Sequence, residues 1–340
     1  MPTTTPKPHI DRVFPPAAIP GGEFQILGKG LMTDTTRPVV SIGEVEARLV
    51  VGSESMLIAR VPDGASIGEL TVTNDTGASP LWTCDIGIQI ADSLHPVASP
   101  AVDEFGNIYT TFSGSRGQKT PVAVYKLDLN YSLKPFVTDL MNATALAFSP
   151  AGVLHVSSRF DGMVYQVTAA GDLSVYCEGM GTATGIAFDR EGNLFVGDRS
   201  GTIFKVSPER QIYVFATVEP SISAYHLAFD NDGNLYVTGP TTSSFDVVHK
   251  IDPEGVVTPF FRGLGRPQGI AFDDQGHLYC CASLAGRRGV VKITPEGKAD
   301  LCVSGPGIVG LAFTPSRALV LATNNSLFRV DLGVKGRPLF

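Results

Sequence analysis

Ala187-Phe188-Asp189-Arg190-Glu191-Gly192-Asn193-Leu194-Phe195-Val196 is followed by two near copies of itself. They are Ala228-Phe229-Asp230-Asn231-Asp232-Gly233-Asn234-Leu235-Tyr236-Val237 and Ala271-Phe272-Asp273-Asp274-Gln275-Gly276-His277-Leu278-Tyr279-Cys280. Weaker copies run from Val102-Asp103-Glu104-Phe105-Gly106-Asn107-Ile108-Tyr109, through Phe148-Ser149-Pro150-Ala151-Gly152-Val153-Leu154-His155, to Phe313-Thr314-Pro315-Ser316-Arg317-Ala318-Leu319-Val320. The anchors Val102, Phe148, Phe188, Phe229, Phe272 and Phe313 stand 46, 40, 41, 43 and 41 residues apart. A period of about 40 residues is the mark of propeller blades, so the six units predict six blades.

Within a unit, an apolar run ends in the anchor, turns, and continues as an apolar-aromatic run; a second turn leads to two alternating strands such as 202–206 and 211–215. The turn chemistry fits. An Asp carboxylate can accept from backbone amides further along the turn, and the Gly of Asp-x-x-Gly-Asn takes a positive φ at little steric cost. Pro208-Glu209-Arg210, Pro253-Glu254-Gly255 and Pro295-Glu296-Gly297 supply a second recurring turn between third and fourth strands. Arg317 stands where the other units carry the first-turn Gly, so that hairpin is expected to be built differently. One four-stranded blade leaves both faces uncovered, whereas six set radially cover each other. Closure is expected from a last strand over 337–340, with 86–90 pairing beside it.

Ahead of the repeats, strand-like runs at 23–27, 38–42, 47–51, 56–61 and 69–74 alternate with turn signals, the pattern of a β-sandwich. The series Ile10-x-x-Val13-x-Pro15, Pro20-Gly21-Gly22, Leu27-Gly28-Lys29-Gly30-Leu31, Val61-Pro62 and Val72-Thr73-Asn74-Asp75-Thr76-Gly77 resembles the IPT/TIG family of immunoglobulin-like domains. That resemblance implies a spacer or interaction module. The expected fold is therefore all-β: a flexible N-terminus over 1–7, a small immunoglobulin-like β-sandwich over 8–88, and a six-bladed β-propeller over 89–340.

Composition narrows the partners. The 26 basic and 33 acidic residues give a formal charge of −7 without charge runs, which argues against nucleic acid. No apolar stretch reaches the roughly 20 residues needed to span a bilayer, and the first residues lack an apolar leader core. The expectation is a soluble monomer, cytoplasmic as written, and periplasmic or extracellular if a leader has been removed. Five cysteines, Cys84, Cys177, Cys280, Cys281 and Cys302, lack zinc-site spacing and read as free core thiols.

Gly185-Ile186-Ala187-Phe188-Asp189-Arg190-Glu191-Gly192-Asn193-Leu194 and Pro267-Gln268-Gly269-Ile270-Ala271-Phe272-Asp273 resemble the NHL-repeat and gluconolactonase-like six-bladed propellers. That superfamily holds metal-dependent lactonases and esterases beside propellers that only bind partners, so function rests on the site. Residues ahead of each first strand and after each second strand should surround the central channel at one face. The candidates are Thr184, Tyr225, His226 and Gln268 from the first group, with Arg159, Asp198, Arg199 and Asn324 from the second. Ser99, Thr144, Val309, Ser283 and Thr323 complete the ring. Arg159 and Arg199 together can hold a carboxylate or phosphate; alternatively the polar groups satisfy one another.

The lactonase resemblance asks for an acidic residue ahead of the first inner strand, an Asn in Pro-Asn-Gly, and an Asp after a second strand. Only Ser99 lies near the first, the second reads Pro267-Gln268-Gly269, and Asp198 alone keeps its type. Asp198 is thus the one weak candidate ligand for a divalent ion such as Ca2+, and its ordinary reading, a strand-end turn cap or a partner for Arg199, is the stronger. Three functions stand open. The first is a non-catalytic module presenting the propeller to a protein, peptide, glycan or small polar ligand, with no cofactor. The second is a divalent-metal hydrolase of lactones or esters built around Asp198, His226, Gln268 and Asn324. The third is a purely structural part.

Overall fold

The computed structural model describes residues 7–115, 117–243 and 246–338. Of the terminal segment expected to be flexible, only Lys7 lies among the described residues. The chain begins with β1 (His9–Phe14), β2 (Ala17–Ala18), β3 (Glu23–Lys29), β4 (Val39–Ile42), β5 (Val45–Gly52), β6 (Met56–Arg60), β7 (Glu69–Asn74), β8 (Gly77–Ala78), β9 (Trp82–Thr83), β10 (Asp85–Ile86) and β11 (Ile88–Ala91). The first repeat unit is β12 (Ala101–Val102), β13 (Ile108–Thr111), β14 (Val124–Leu127) and β15 (Leu133–Val137). The second is β16 (Ala143–Phe148), β17 (Leu154–Ser158), β18 (Met163–Val167) and β19 (Leu173–Cys177); the third is β20 (Ala183–Phe188), β21 (Leu194–Asp198), β22 (Thr202–Val206) and β23 (Ile212–Thr217). The fourth is β24 (His226–Phe229), β25 (Leu235–Thr238), β26 (Asp246–Ile251) and β27 (Val257–Gly265). Then come β28 (Ile270–Phe272), β29 (Leu278–Leu284), β30 (Arg287–Ile293) and β31 (Ala299–Ser304), and finally β32 (Ile308–Phe313), β33 (Leu319–Thr323) and β34 (Leu327–Val330). No helix occurs among the described residues, so none is long and apolar enough to cross a membrane.

The units ring an axis in a propeller-like arrangement, and the anchors show why. The second-strand aromatic of one unit meets the anchor Phe of the next edge-to-face: Tyr109 with Phe148, His155 with Phe188, Phe195 with Phe229, Tyr236 with Phe272, and Tyr279 with Phe313. These centroids lie 4.8–5.5 Å apart, the favoured aromatic geometry. The final seam replaces the aromatic pair with Val102 and Val320 in one buried cluster, and β32 lies against β12.

As sheets, however, the units do not stand as six. Four are separate four-stranded sheets, while the fourth and fifth units are continuous in one ten-stranded sheet. The physical reason is strand length. β27 runs nine residues and β29 seven, and their overhanging ends pair at Leu264 with Leu284 and Gly265 with Ser283.

Closure also differs from expectation. β11 is itself the fourth strand of the last unit, pairing antiparallel with β34. The tail instead crosses to other units: Gly336 bridges to Asp273, and Arg337 donates to the Phe229 carbonyl at 2.7 Å. Leu339 and Phe340, counted in the expected last strand, lie outside the described residues.

The N-terminal strands form one continuous eight-stranded sheet closed around Phe24, Ile26, Val40, Ile42, Leu57, Leu70 and Val72, the two halves expected of the sandwich being joined by the pairing of β4 with β5. β2 leaves it and pairs in parallel with the outer edge of β31, and β10 pairs with β2. Ile19 is buried among Val290, Val303 and Ile308, so the sandwich is seated on the fifth unit through shared core.

Candidate ligand-facing mouth of the propeller

A meander reverses direction at every strand. The connections from second to third strands, and from each fourth strand to the next unit, therefore open on one face, the mouth. Three residues ahead of each anchor, in the first strand or just before it, stand Ser99, Ala145, Gly185, His226, Gly269 and Gly310. The glycines are there because the strands come too close for a side chain. A Cβ on Gly269 would lie 2.5 Å from the Gly310 Cα and 2.6 Å from Ser99 Oγ, and one on Gly310 would strike the Ser99 backbone. His226 is the single bulky residue in that column. It is 5 % exposed, and its ring has no hydrogen bond or ion pair among the described residues. Burial alone pushes its imidazole down to about 4, so the ring is neutral near pH 7, with one donor and one acceptor nitrogen.

The remaining candidates divide into engaged and unengaged groups. Thr184 Oγ1 donates to the Gly197 carbonyl at 2.8 Å and accepts from the Tyr225 amide at 3.1 Å, stitching the third unit to the fourth. Tyr225 is buried and donates its hydroxyl to the Glu219 carbonyl; burial first of all pushes its phenol up to about 12. Arg159 donates to the Gly114 carbonyl at 3.0 Å, and Arg199 to the Ile222 carbonyl at 3.0 Å. Each guanidinium thus tethers its own neighbouring loop, and the two are anchored at different carbonyls. Gln268 and Asn324 differ. Gln268 is fixed through its backbone, donating to the Cys281 carbonyl at 2.8 Å and accepting from Thr238 Oγ1 at 2.6 Å. Its side-chain amide, like that of exposed Asn324, has no hydrogen-bond partner among the described residues.

Asp198 settles into the turn-cap role. One carboxylate oxygen accepts from the Thr182 amide at 2.7 Å, and the other accepts from the Ser200 amide and hydroxyl. No ion pair joins it to Arg199 among the described residues, and no group of three or more His, Cys, Asp or Glu side chains converges there. A hard divalent ion needs several oxygen ligands at one point, and the donor set around Asp198 does not fit one.

Sequence reasoning missed part of this face. Phe160 and Ile222, in mouth connections of the second and third units, are 47 % and 46 % exposed. Phe160 directly follows Arg159, and an apolar residue in so short a turn was the available signal. Ser113, aligned with Arg159 and Arg199, is buried with its hydroxyl unpartnered. Asp246, at the mouth end of β26, accepts from the Thr241 amide and hydroxyl at 2.9 and 2.7 Å while its other oxygen is buried without a partner.

Residues 8–82 match the model of the IPT/TIG domain, and residues 215–246 match a β-propeller repeat. The chain carries an IPT/TIG domain ahead of propeller repeats. With that domain included, it is similar to an auxiliary nutrient binding protein from Bacteroides thetaiotaomicron, at 12 % identity and a TM-score of 0.56 over 96 % of this chain and 97 % of that one. A protein of the same description from Bacteroides ovatus is 13 % identical, with a TM-score of 0.55 over 96 % and 98 %. A gluconolactonase from Xanthomonas campestris is 14 % identical with a TM-score of 0.60, over 73 % of this chain and 89 % of its own. At these identities the likeness is one of fold. No curated protein matches the chain in sequence.

Proposed function

We propose that this chain is a non-catalytic binding protein, with no resident cofactor, whose propeller mouth takes a polar ligand rich in hydroxyl groups, a glycan above all. The observation that carries the reading is His226, a buried neutral imidazole without a hydrogen-bond partner among the described residues, set among small residues at the hub. One ring nitrogen donates and the other accepts, which suits a hydroxyl. The free amides of Gln268 and Asn324 add donors and acceptors, and exposed Phe160 and Ile222 offer apolar surface to a sugar face. The scaffold for this role is a six-bladed propeller over 89–340, the ten-stranded sheet counting as two blades joined at their overhanging ends, with the sandwich over 8–88 seated beside it.

Likeness to two nutrient-binding proteins over nearly the whole chain also supports binding. The nutrient-binding proteins share both parts of the chain, whereas the gluconolactonase covers 73 % of it. The hydrolase alternative has the gluconolactonase likeness behind it but not the site, since Asp198 is committed to its turn.

The test is a thermal-shift and calorimetric screen against mono- and oligosaccharides, short peptides, lactones and esters. Saturable binding of a saccharide, weakened at least tenfold in His226→Ala and in Gln268→Ala, is expected. Turnover of a lactone or ester that is abolished in Asp198→Ala would overturn the reading, as would saccharide binding indifferent to both mouth substitutions.

A further inference from the structure

A second site lies on the sandwich, away from the hub. Arg48 in β5 pairs directly across the ladder with Arg60 in β6. Like charges in that position are destabilising. Arg60 is compensated on its other side by Glu23, its cross-strand partner in β3, at 2.7 Å. Arg48 has no acidic partner and no side-chain hydrogen bond among the described residues. A third cation joins them. Arg37, in the loop before β4, donates to the Leu49 carbonyl at 2.7 Å, which fixes its guanidinium beside the same ladder. Together Arg37, Arg48 and Arg60 line a cleft of about 380 Å³, with Leu49 and Val50 as its only other walls.

Two features set this apart from chance surface charge. The chain as a whole is acidic, at −7, yet the cleft is lined by three cations and no carboxylate. The ladder also shifts register between Leu49 and Val51, leaving Val50 as the extra residue, 44 % exposed. Bulges of this kind re-aim side chains and persist where they serve a site. Tethered guanidiniums lose less freedom on binding, and their planar forks match the oxygens of carboxylate and sulfate.

We propose that this cleft is an oxyanion-binding site for a carboxylate or sulfate group on an organic ligand whose body covers Leu49 and Val50. Arg48 makes the principal contact, because of the three guanidiniums it alone has neither an ion pair nor a hydrogen bond among the described residues. Arg60 and Arg37 flank it.

The full chain is titrated with sodium sulfate and with galacturonate, followed by calorimetry and backbone-amide NMR at constant ionic strength. Saturable binding with shifts confined to 37–60 is expected, weakened at least tenfold in Arg48→Ala and only about threefold in Arg48→Lys. Binding of galacturonate alone assigns the site to carboxylates, and binding of sulfate alone assigns it to sulfate groups. Arg48→Ala also removes the like-charge pair, so in low salt without the probe it should unfold no earlier than the parent. Absence of saturable binding for both probes, or binding unchanged in Arg48→Ala, would overturn the proposal. A Gln268→Ala control separates it from the hub reading, since this site should ignore that change.

Discussion

The two faces of the propeller are made by the same chain rhythm and hold their polar groups in opposite ways. On the face away from the mouth, each turn between first and second strands closes on itself. Asp103, Asp189, Asp230 and Asp273 accept from the amide four residues on, at 2.8–2.9 Å, and from the side chain of that same residue, Asn or His. Above these turns, Lys126, Lys205, Lys250 and Lys292 lie 5.2–5.9 Å from the rings of Tyr109, Phe195, Tyr236 and Tyr279. These turn partners are local and repeated, and the tail adds distant ones through Gly336 and Arg337. At the mouth, loop lengths vary, arginines reach for different carbonyls, and the side chains of His226, Gln268 and Asn324 have no hydrogen-bond partner among the described residues. The difference teaches where the repeat holds the ring together and where it leaves room for a ligand.

The strongest way to break this comparison is to exchange the expected costs. Asp273 is 1 % exposed and accepts from the amides of Gln275 and His277 and from the His277 ring, with Lys292 at 3.9 Å. Asp273→Ala removes a buried carboxylate and leaves those partly buried donors unpaired, and should cost about 2 kcal/mol. Gln268→Ala, removing a side chain with no protein partner, should stay within about 0.5 kcal/mol of the parent. Urea unfolding followed by circular dichroism measures both. Equal losses would mean that mouth and floor are not differently built.

Acid titration sharpens the comparison through two buried histidines. Burial pushes His226 down to about 4. Burial, with help from the Arg210 charge, pushes His155 down to about 4 as well. An unfolded histidine titrates near 6.5, so as the pH falls the unfolded chain takes up protons first. Stability is therefore complete above about pH 6.5 and declines toward pH 4, by about 2 kcal/mol per histidine at pH 5. His155 stands where other units place Tyr or Phe, and it packs on Phe188 and Tyr176. His155→Phe should flatten the acid slope without touching ligand affinity, whereas His226→Gln should flatten it and weaken binding together. A His155 variant that alters binding would show that the seam, not the hub, shapes the mouth.

How much of this was legible depends on whether the signal is local. The floor turns and the anchor seams could be read because Asp-x-x-Gly-Asn and the Phe spacing report residues within one turn or one period. The junction of the fourth and fifth units could not, because it arises from the overhang of β27 and β29, and strand length past the repeat carries no motif. The two-residue strand β2, Ala17–Ala18, is too short for periodicity, yet it seats the sandwich. At the site, Asp198 read as a strand-end turn cap or a partner for Arg199, while His226 read only as one member of the channel ring, a lone histidine whose ordinary role is structural. Phe160 and Ile222 escaped because exposed apolar residues in loops are common and carry no pattern.

The smallest expected effect tests how far the floor's uniformity goes. Arg317 replaces the turn glycine of the last unit, which predicted a different hairpin, yet the turn has the same form. The Arg317 amide donates to the Thr314 carbonyl at 3.0 Å, as the Gly276 amide does to Asp273 at 3.3 Å, and Thr314 Oγ1 accepts from the Ala318 amide in place of the Asp carboxylate. Arg317 reaches this form by adopting φ 65, against φ 82 at Gly276. For a residue with a Cβ, that region costs roughly 1–2 kcal/mol, while glycine there gives back roughly 0.5–1 through its freer unfolded chain. Arg317→Gly should therefore stabilise the protein by about 0.5 kcal/mol, seen as a small rise in the urea midpoint with an unchanged slope. Because Arg317 is exposed, loss of packing should not mask the gain. A loss of stability would mean that the side chain holds something the turn geometry does not need, and that the last unit's floor is built by a different rule from the other five.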